Sequence, residues 1–337
     1  MKTPGGPVGV AALVVVATAV GLGRTAPAQS SNDAEDLLTA ARTAAEHASY
    51  AGALVVTWRD QGQLHQTVTY AAVDHGVVDL GAGASRVRSR GGQRWVTADG
   101  GWSLVLGPDV PADEPPPPHT NWKLRAVPGP AVAGQATTVV EASDPATGAT
   151  RARFFIDRAT GTVLRRDVLD PHGQLVRRVA FDAIGPIGSA LPAPAPARAA
   201  RDEPRPLSSV PSGDPAPTTI GRGYRLLGRY RQPDGSVQLY YGDGVFTLSL
   251  FEQPGSVDWD ALPSGADRSA HGVATRAYAT PTTTAVVWGV HGVAITCVSD
   301  APPDQVQLAV RDVVGGGAES SVGDDIARFV LGPFGWD

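Results

Sequence analysis

Residues 151–181, R-A-R-F-F-I-D-R-A-T-G-T-V-L-R-R-D-V-L-D-P-H-G-Q-L-V-R-R-V-A-F, decide the fold class of this chain. Short apolar or alternating runs are separated by turn residues, which predicts three β-strands in a meander. The predicted strands cover 154–156, 162–169 and 174–181, and the predicted turns cover 157–161 and 170–173. In the last strand the alternation places Leu175, Val179 and Phe181 on one face and Arg178 on the other. A larger antiparallel sheet is therefore expected around this segment.

Length and composition narrow the class of protein. A chain of 337 residues normally forms about two domains, each with its own core. The 40 glycines and 29 prolines favour a mainly antiparallel β or α+β protein with a flexible segment over a helical bundle. The formal net charge is −5, and no basic face alternates with aromatic residues, so nothing indicates nucleic-acid binding.

The N-terminus predicts export. Lys2 precedes an apolar run over residues 8–22, and Ala26-Pro27-Ala28 forms an A-x-A cleavage pattern before Gln29. The run is shorter than the ~20 residues that span a bilayer as a helix. A Sec-type signal peptide over residues 1–28 is therefore predicted, which places the protein on the periplasmic or cell-envelope side. An uncleaved membrane anchor is the alternative.

The remainder divides into four predicted segments. A first domain covers residues 30–183, a Pro/Ala-rich linker 184–219, a smaller domain 220–315 and a tail 316–337. The first domain opens with a helix over 30–49, whose expected apolar stripe consists of Leu37, Ala41, Ala44, Ala45 and Ala48. Four consecutive prolines at 115–118 predict a polyproline II surface loop, with a P-x-x-P ligand as the alternative.

The smaller domain shows six strand patterns followed by one helix. The strands are predicted over 223–230, 238–242, 246–251, 274–279, 285–290 and 293–298. The helix is expected to begin at residues 302–304, to bury Val306, Ala309, Val310 and Val313, and to end at the three glycines 315–317. The only cysteine, Cys297, cannot form an internal disulfide and is expected to be a buried core residue.

Motifs that carry chemistry are missing from the sequence. There is no nucleophile elbow, zinc-protease, C-x-x-C, P-loop or dinucleotide-binding motif, and no two histidines lie within four residues of each other. The sequence therefore predicts no catalytic residues, no metal and no cofactor.

A group of arginines is the one notable charge feature. Arg86, Arg88 and Arg90 alternate along one predicted strand, and Arg94 follows on the next. A solvated outer face is the plain interpretation. The functional interpretation is a patch for an acidic partner segment or an anionic lipid headgroup.

Several motifs together resemble the RseB (MucB) family of sigma-E factor regulatory proteins. In the first domain they are Tyr50-x-Gly52, Val132-Ala-Gly134, Phe154-Phe-Ile-Asp157, Thr160-Gly161, Leu164-Arg165-x-Asp167-x-Leu169-Asp170, Gly173 and Phe181. In the second domain the segment is Tyr241-x-Asp243-Gly244-Val245-x-x-Leu248-Ser249-Leu250-Phe251. The chain departs from the family at Ile156, where the family has Trp, at Val163, where it has Pro, and around Tyr70-Ala-Ala72, where it has His.

The resemblance implies both a fold and a function. The implied fold is α+β: a curved antiparallel half-barrel with plugging helices, similar to the lipoprotein carriers LolA and LolB, followed by a smaller α+β domain. Family members bind the extracytoplasmic part of an anti-sigma factor and protect it from proteolysis. A lipid-like ligand ends this protection. The residues expected to line an apolar ligand cavity are Trp58, Tyr70, Trp95, Trp102 and Phe155.

Three functional hypotheses follow. The first is a regulator that binds an anti-sigma factor ectodomain and senses a lipid in residues 30–183. The presence of the second domain favours this regulator over a carrier. The second is a lipid or lipoprotein carrier of the cell envelope with no such partner. An enzyme would need a polar cluster that the sequence does not disclose. The ligand, the partner and any homo-oligomer stay open.

Overall fold

A computed structural model describes residues 31–74, 77–82, 85–90, 93–97, 103–105, 116–186, 205–206, 216–231 and 235–319. The predicted signal peptide, Trp102, residues 320–337 of the predicted tail and most of the predicted linker lie outside these ranges. Within them, neither α-helix is long and apolar enough to cross a membrane.

The first half of the described chain forms an antiparallel sheet of eleven strands. Its elements are α1 (Ser31–His47), β1 (Ser49–Asp60), β2 (Gln63–Asp74), β3 (Val77–Ala82), β4 (Ser85–Arg90), β5 (Gln93–Thr97), β6 (Ser103–Val105), the 3-10 helix η1 (Pro118–Thr120), β7 (Lys123–Pro128), β8 (Thr137–Ser143), β9 (Thr150–Asp157), β10 (Val163–Leu169) and β11 (Leu175–Gly185). The strand order is β6-β5-β4-β3-β2-β1-β11-β10-β9-β8-β7, which leaves β6 and β7 at the two edges. The sheet is open, and α1 packs on β7 and β8.

The second half forms another antiparallel sheet with one covering helix. Its elements are β12 (Arg205–Pro206), β13 (Thr219–Ile220), β14 (Tyr224–Arg231), β15 (Val237–Gly242), β16 (Thr247–Pro254), β17 (Ala266–Ala270), β18 (Val273–Ala279), β19 (Thr284–Val290), β20 (Val293–Ser299) and α2 (Pro303–Glu319). The order is β12-β14-β15-β16-β20-β19-β18-β17, and β13 also pairs with β14. The mainly antiparallel α+β fold class is thus confirmed.

The meander predicted from residues 151–181 is confirmed as β9, β10 and β11. β10 pairs antiparallel with both neighbours. The glycines of the two turns, Gly161 and Gly173, have φ of 75° and 77°, which only glycine adopts without strain. β11 continues four residues beyond Phe181, and these residues pair with the start of β1. The last strand of the first sheet therefore lies beside its first strand. The meander is therefore joined to the N-terminal hairpin at the centre of the sheet.

The apolar stripe expected on α1 is partly wrong. The buried residues are Ala34, Leu38 and Ala41, spaced i, i+4 and i+7, whereas Ala45 is exposed. An alanine-rich helix offers several faces of nearly equal hydrophobicity, and here Leu38 is buried whereas Leu37 is only partly buried against the same cluster.

Two features of the second sheet differ from the expectations. β17 was not predicted, because its sequence, A-D-R-S-A, is polar and it occupies a sheet edge. The helix α2 was expected to end at Gly315, but it continues through the three glycines to Glu319. Glycine lowers helix stability by only about 1 kcal/mol per residue, and Val313, two residues before the first glycine, is buried in the core.

The two sheets share one buried apolar cluster, although the length of the chain predicted separate cores. The cluster contains Ala34 and Leu38 of α1 as well as Leu248 and Val310 of the second half. Trp122, just before β7, meets Phe246, just before β16, edge to face with ring centroids 5.5 Å apart. Apolar packing therefore fixes the second sheet against the first.

Candidate functional site

Three arginines of the meander reach from the first sheet to the second. Arg151 lies on β9, Arg166 on β10 and Arg177 on β11, and their partners are Asp304 at the start of α2 and Asp300 after β20. We call these five residues the inter-sheet junction.

Arg151 forms the most enclosed contact of the junction. Its side chain is 3% exposed, and its Nη2 donates to both carboxylate oxygens of Asp304, at 2.6 and 2.8 Å. Its Nε donates to the carbonyl of Leu169, which holds the guanidinium in place. Asp304 lies in the first turn of α2, where a carboxylate also interacts favourably with the helix dipole.

Arg166 connects the junction to the apolar cluster. Its Nη1 donates to Asp300 Oδ2 at 2.6 Å, and its Nη2 donates to the carbonyl of Val245 at 3.1 Å. The guanidinium lies 5.3 Å from the ring centroid of Phe154 in the first sheet and 5.3 Å from that of Phe246 in the second. A cation between two aromatic rings gains electrostatic attraction in addition to the ion pair.

Arg177 completes the junction with neutral acceptors. Its side chain is buried, and it donates to the carbonyl of Asp300 at 3.2 Å and to the hydroxyl of Thr284 at 3.3 Å. Asp300 in turn accepts a hydrogen bond from the backbone N–H of Thr247 at 2.7 Å. The carboxylate of Asp300 is therefore shared between an arginine of the first sheet and a strand of the second.

The turn between β15 and β16 lies beside the junction and is held from both sheets. Asp243 Oδ1 accepts the N–H groups of Val245 and Phe246 at 2.8 and 2.7 Å. Asn121 and Arg42 of the first half donate to the carbonyls of Asp243 and Gly244, at 3.1 and 2.5 Å.

Close packing at this turn requires glycine at position 244. Gly244 has φ of 92°, and a Cβ on it would lie 2.5 Å from the carbonyl oxygen of Pro116. The end of the proline run therefore packs on the second sheet, whereas the sequence predicted a surface loop. The P-x-x-P ligand alternative stays untested.

Burial, assisted by the neighbouring Asp300 carboxylate, raises the pKa of Asp243 to about 7, against the lowering effect of the two N–H donors. A buried acid with a raised pKa is most stable when protonated. The turn beside the junction thus contains one group that changes charge near neutral pH.

A second arginine–carboxylate cluster lies within the first sheet. Asp167 on β10 is 1% exposed and accepts hydrogen bonds from Arg165 and Arg178, at 2.5 to 2.9 Å. Burial alone would raise the pKa of Asp167, but the two guanidinium groups outweigh it and the pKa is lowered. Arg165 also lies over the ring of Phe155, 4.2 Å from its centroid. Asp167 and Arg165 belong to the motif that resembles the RseB family, and their role here is to pair strands.

The residues proposed for a ligand cavity are not gathered into one described site. Phe155 is 4% exposed and belongs to a buried cluster with Leu54, Val139, Leu164 and Phe181. Trp58 is half-buried and stacks on His65 with centroids 5.3 Å apart. The backbone places Tyr70 on β2 opposite Gly81, and Trp95 on β5 opposite Arg88. The cavity stays a prediction.

The arginine patch is placed by the backbone register of β4 and β5. Arg86, Arg88 and Arg90 lie opposite Thr97, Trp95 and Gln93, whereas Arg94 lies opposite Ser89. Residues directly opposite share a face, so Arg94 occupies the other face of the sheet from the three alternating arginines. Whether this patch binds a partner stays a prediction.

Among the side chains of the first sheet that the structure describes, two large apolar ones are exposed. Leu64 and Val68 of β2 are 57% and 55% exposed, and the two-residue spacing through Gln66 places them on one face.

The junction arginines were not identified from the sequence. The only available sign was the unusual number of arginines on three consecutive strands, which a solvated face explains equally well.

No protein-family model matches the chain, and no curated protein matches it. Among solved structures, MucB is 22% identical over 83% of this chain and 98% of its own, with a TM-score of 0.49.

The chain is similar to MucB. The complex of MucA and MucB from Pseudomonas aeruginosa matches with 21% identity over 82% of this chain and 96% of that chain, and a TM-score of 0.45. A LolA superfamily protein from Nitrosomonas europaea matches over 81% of this chain and 96% of its own, with 8% identity and a TM-score of 0.21.

Proposed function

We propose that this protein is an extracytoplasmic regulator that binds the ectodomain of an anti-sigma factor and controls its proteolysis. A lipid-like ligand held by the first sheet would release the partner. MucB is described in complex with MucA, and the family that the motifs resemble acts on such a partner.

The proposal rests on the contact between the two segments that resemble the family, one in each sheet. The family-like segment of the first sheet contains Phe154 and runs through Arg166, and that of the second sheet contains Val245 and Phe246. Arg166 contacts all three of these residues, by stacking on both rings and donating to the Val245 carbonyl. Phe154 and Val245 are motif residues, whereas Arg166 and Phe246 occupy positions that the motifs leave open. The segments that resemble the family therefore form part of the contact between the sheets, which suits a protein whose two sheets act together.

A lipid or lipoprotein carrier is the second candidate, and the exposed pair Leu64 and Val68 favours it. Exposed apolar side chains on one face of a strand suit contact with an acyl chain. A carrier of this kind would use the first sheet alone and would have no need of the junction.

The test is native mass spectrometry of residues 29–337 with the ectodomain of an anti-sigma factor encoded beside the protein. We expect a protein–protein complex that dissociates when envelope lipid is added. Co-purified lipid with no complex would instead establish the carrier. Neither a complex nor bound lipid would refute both candidates.

The role of the junction is tested with a matched pair of variants. Arg166→Gln removes the ion pair with Asp300, whereas Arg125→Gln removes an exposed pair with Glu141 within the first sheet. If the partner contacts both sheets, Arg166→Gln should weaken the complex by about tenfold, equivalent to ~1.4 kcal/mol. Arg125→Gln should leave the affinity unchanged. Equal affinities of the two variants would show that the partner does not require the junction.

A further inference from the structure

A pocket of about 290 Å³ lies in the second sheet, between α2 and the edge formed by β17, β18 and β19. This size is at the small end of ligand pockets in proteins. The space arises because Ala270 and Ala277 are the strand residues under the helix at this point. At one end the β17–β18 turn meets α2, where a Cβ on Gly315 would lie 2.8 Å from the ring of His271.

The rim of the pocket is cationic. Arg268 on β17 and Arg311 on α2 are both exposed, and no acidic residue lines the pocket. Neither arginine makes an ion pair or hydrogen bond with any residue that the structure describes. This differs from the arginines of the inter-sheet junction, each of which has its acceptors within the fold.

Other polar groups of the lining are also available to a ligand. The side chain of Gln307 lies one turn before Arg311 on the same face of α2, and Thr275 lies opposite Arg268 in the strand register. Neither side chain forms a hydrogen bond within the described part of the chain. Thr275 is only 5% exposed, and the small exposed part of this residue lies in the wall of the pocket.

The interior of the pocket is apolar. Ala277, Val286 and Val310 line it, and Val286 and Val310 are 3% exposed. A bare inorganic anion would satisfy the rim and leave this surface without a partner. A neutral hydrocarbon would fill the interior and leave two arginines without an acceptor. Arginine binds carboxylate and phosphate groups through two parallel N–H donors, so both groups fit the rim.

We propose that this pocket binds a small anionic amphiphile, a carboxylate or phosphate monoester on a short hydrocarbon body. Arg268 and Arg311 bind the anionic head, Thr275 and Gln307 donate to it, and the hydrocarbon packs on Val286 and Val310. The site is separate from the cavity proposed for the first sheet and does not depend on an anti-sigma factor.

Calorimetric titration of residues 29–337 tests the proposal with four probes: octanoate, octyl phosphate, 1-octanol and inorganic phosphate. We expect at least one of the two anionic amphiphiles to bind at least tenfold more tightly than octanol or inorganic phosphate. The stronger of the two identifies the head group as carboxylate or phosphate. Failure of both to bind, or equal binding of octanol or inorganic phosphate, would overturn the proposal.

Two sets of variants locate the binding in this pocket. Arg268→Gln/Arg311→Gln should lower the affinity at least tenfold, whereas Arg125→Gln/Arg225→Gln removes the same charge elsewhere and should change it less than twofold. Ala277→Leu fills the interior without altering charge and should also prevent binding. Undiminished affinity in Arg268→Gln/Arg311→Gln or in Ala277→Leu would place the ligand elsewhere and refute the assignment.

Discussion

A buried carboxylate in the second sheet makes stability depend on pH in a direction that can be measured. Glu252 lies on the central strand β16 between Val237 and Ile295 in register, and it is 1% exposed. Within the described residues, neither of its carboxylate oxygens has a hydrogen-bond partner. Burial raises the pKa of Glu252 to about 8, against the lowering effect of Arg229. The Glu252→Gln variant replaces the acid with a neutral group of the same shape.

Glu252 binds its proton more tightly in the folded chain than in the unfolded chain. In the unfolded chain a glutamate ionises near ~4.3, so above that pH the unfolded state has lost a proton that the folded state keeps. The free energy of unfolding therefore falls as pH rises from ~4.3 to about 8, by up to ~1.4 kcal/mol per pH unit. Above about 8 both states are ionised, and Glu252 contributes no further change. The accumulated loss is of the order of several kcal/mol.

Urea unfolding of the wild type and of Glu252→Gln at pH 5, 6, 7 and 8 measures this difference. We expect the variant to be little changed at pH 5 and to gain stability over the wild type by about 1 kcal/mol per unit as pH rises. Glu141→Gln is the control: Arg125 and Arg153 outweigh burial and lower the pKa of Glu141, so this group is ionised in the folded and the unfolded chain from pH 5 to 8. The difference between Glu141→Gln and the wild type should therefore stay constant over this range. Parallel stability curves for the wild type and Glu252→Gln would refute the reasoning.

Two further substitutions test the packing of the first sheet and of the contact between the sheets. Asp167→Asn leaves two guanidinium groups without their shared carboxylate and should cost about 3 kcal/mol at pH 7 in urea unfolding. Because the pKa of Asp167 is lowered, this difference should shrink as pH falls below ~4, and a pH-independent difference would contradict the assignment. Phe246→Ala removes a fully buried ring that packs on Trp122 and should cost about 3–5 kcal/mol, seen as a lower Tm in calorimetry. A cost below ~1 kcal/mol would show that the shared cluster contributes little.

The strands could be predicted because their sequence patterns are local. The meander around Gly161 and Gly173 combines alternating or apolar runs with turn residues that adopt positive φ, and the six predicted strands of the second half show the same kind of runs. β17 lacks such a pattern. It forms because β18 offers an unpaired edge, and this depends on residues outside the strand itself.

Helix ends and helix faces were predicted less well, since tertiary contacts decide them. The three glycines after Val314 are weak helix formers, yet they remain helical where α2 lies against the β17–β18 turn. Gly315 allows this close approach, because a Cβ at this position would collide with the ring of His271. The same residue type that predicts a helix end therefore allows the helix to continue over a neighbouring turn.

The junction could not be predicted because its two sides are far apart in the sequence. Arg177 and Arg178 are adjacent and chemically identical, yet Arg177 is buried against the second sheet and Arg178 pairs with Asp167 within the first. Alternation along β11 shows only that the two side chains lie on opposite faces. Which face is covered depends on Asp300, more than 120 residues later, and on the packing of Trp122 against Phe246. An arginine on a strand is ordinarily solvent-exposed, so its burial becomes visible only when the second sheet supplies its acceptor.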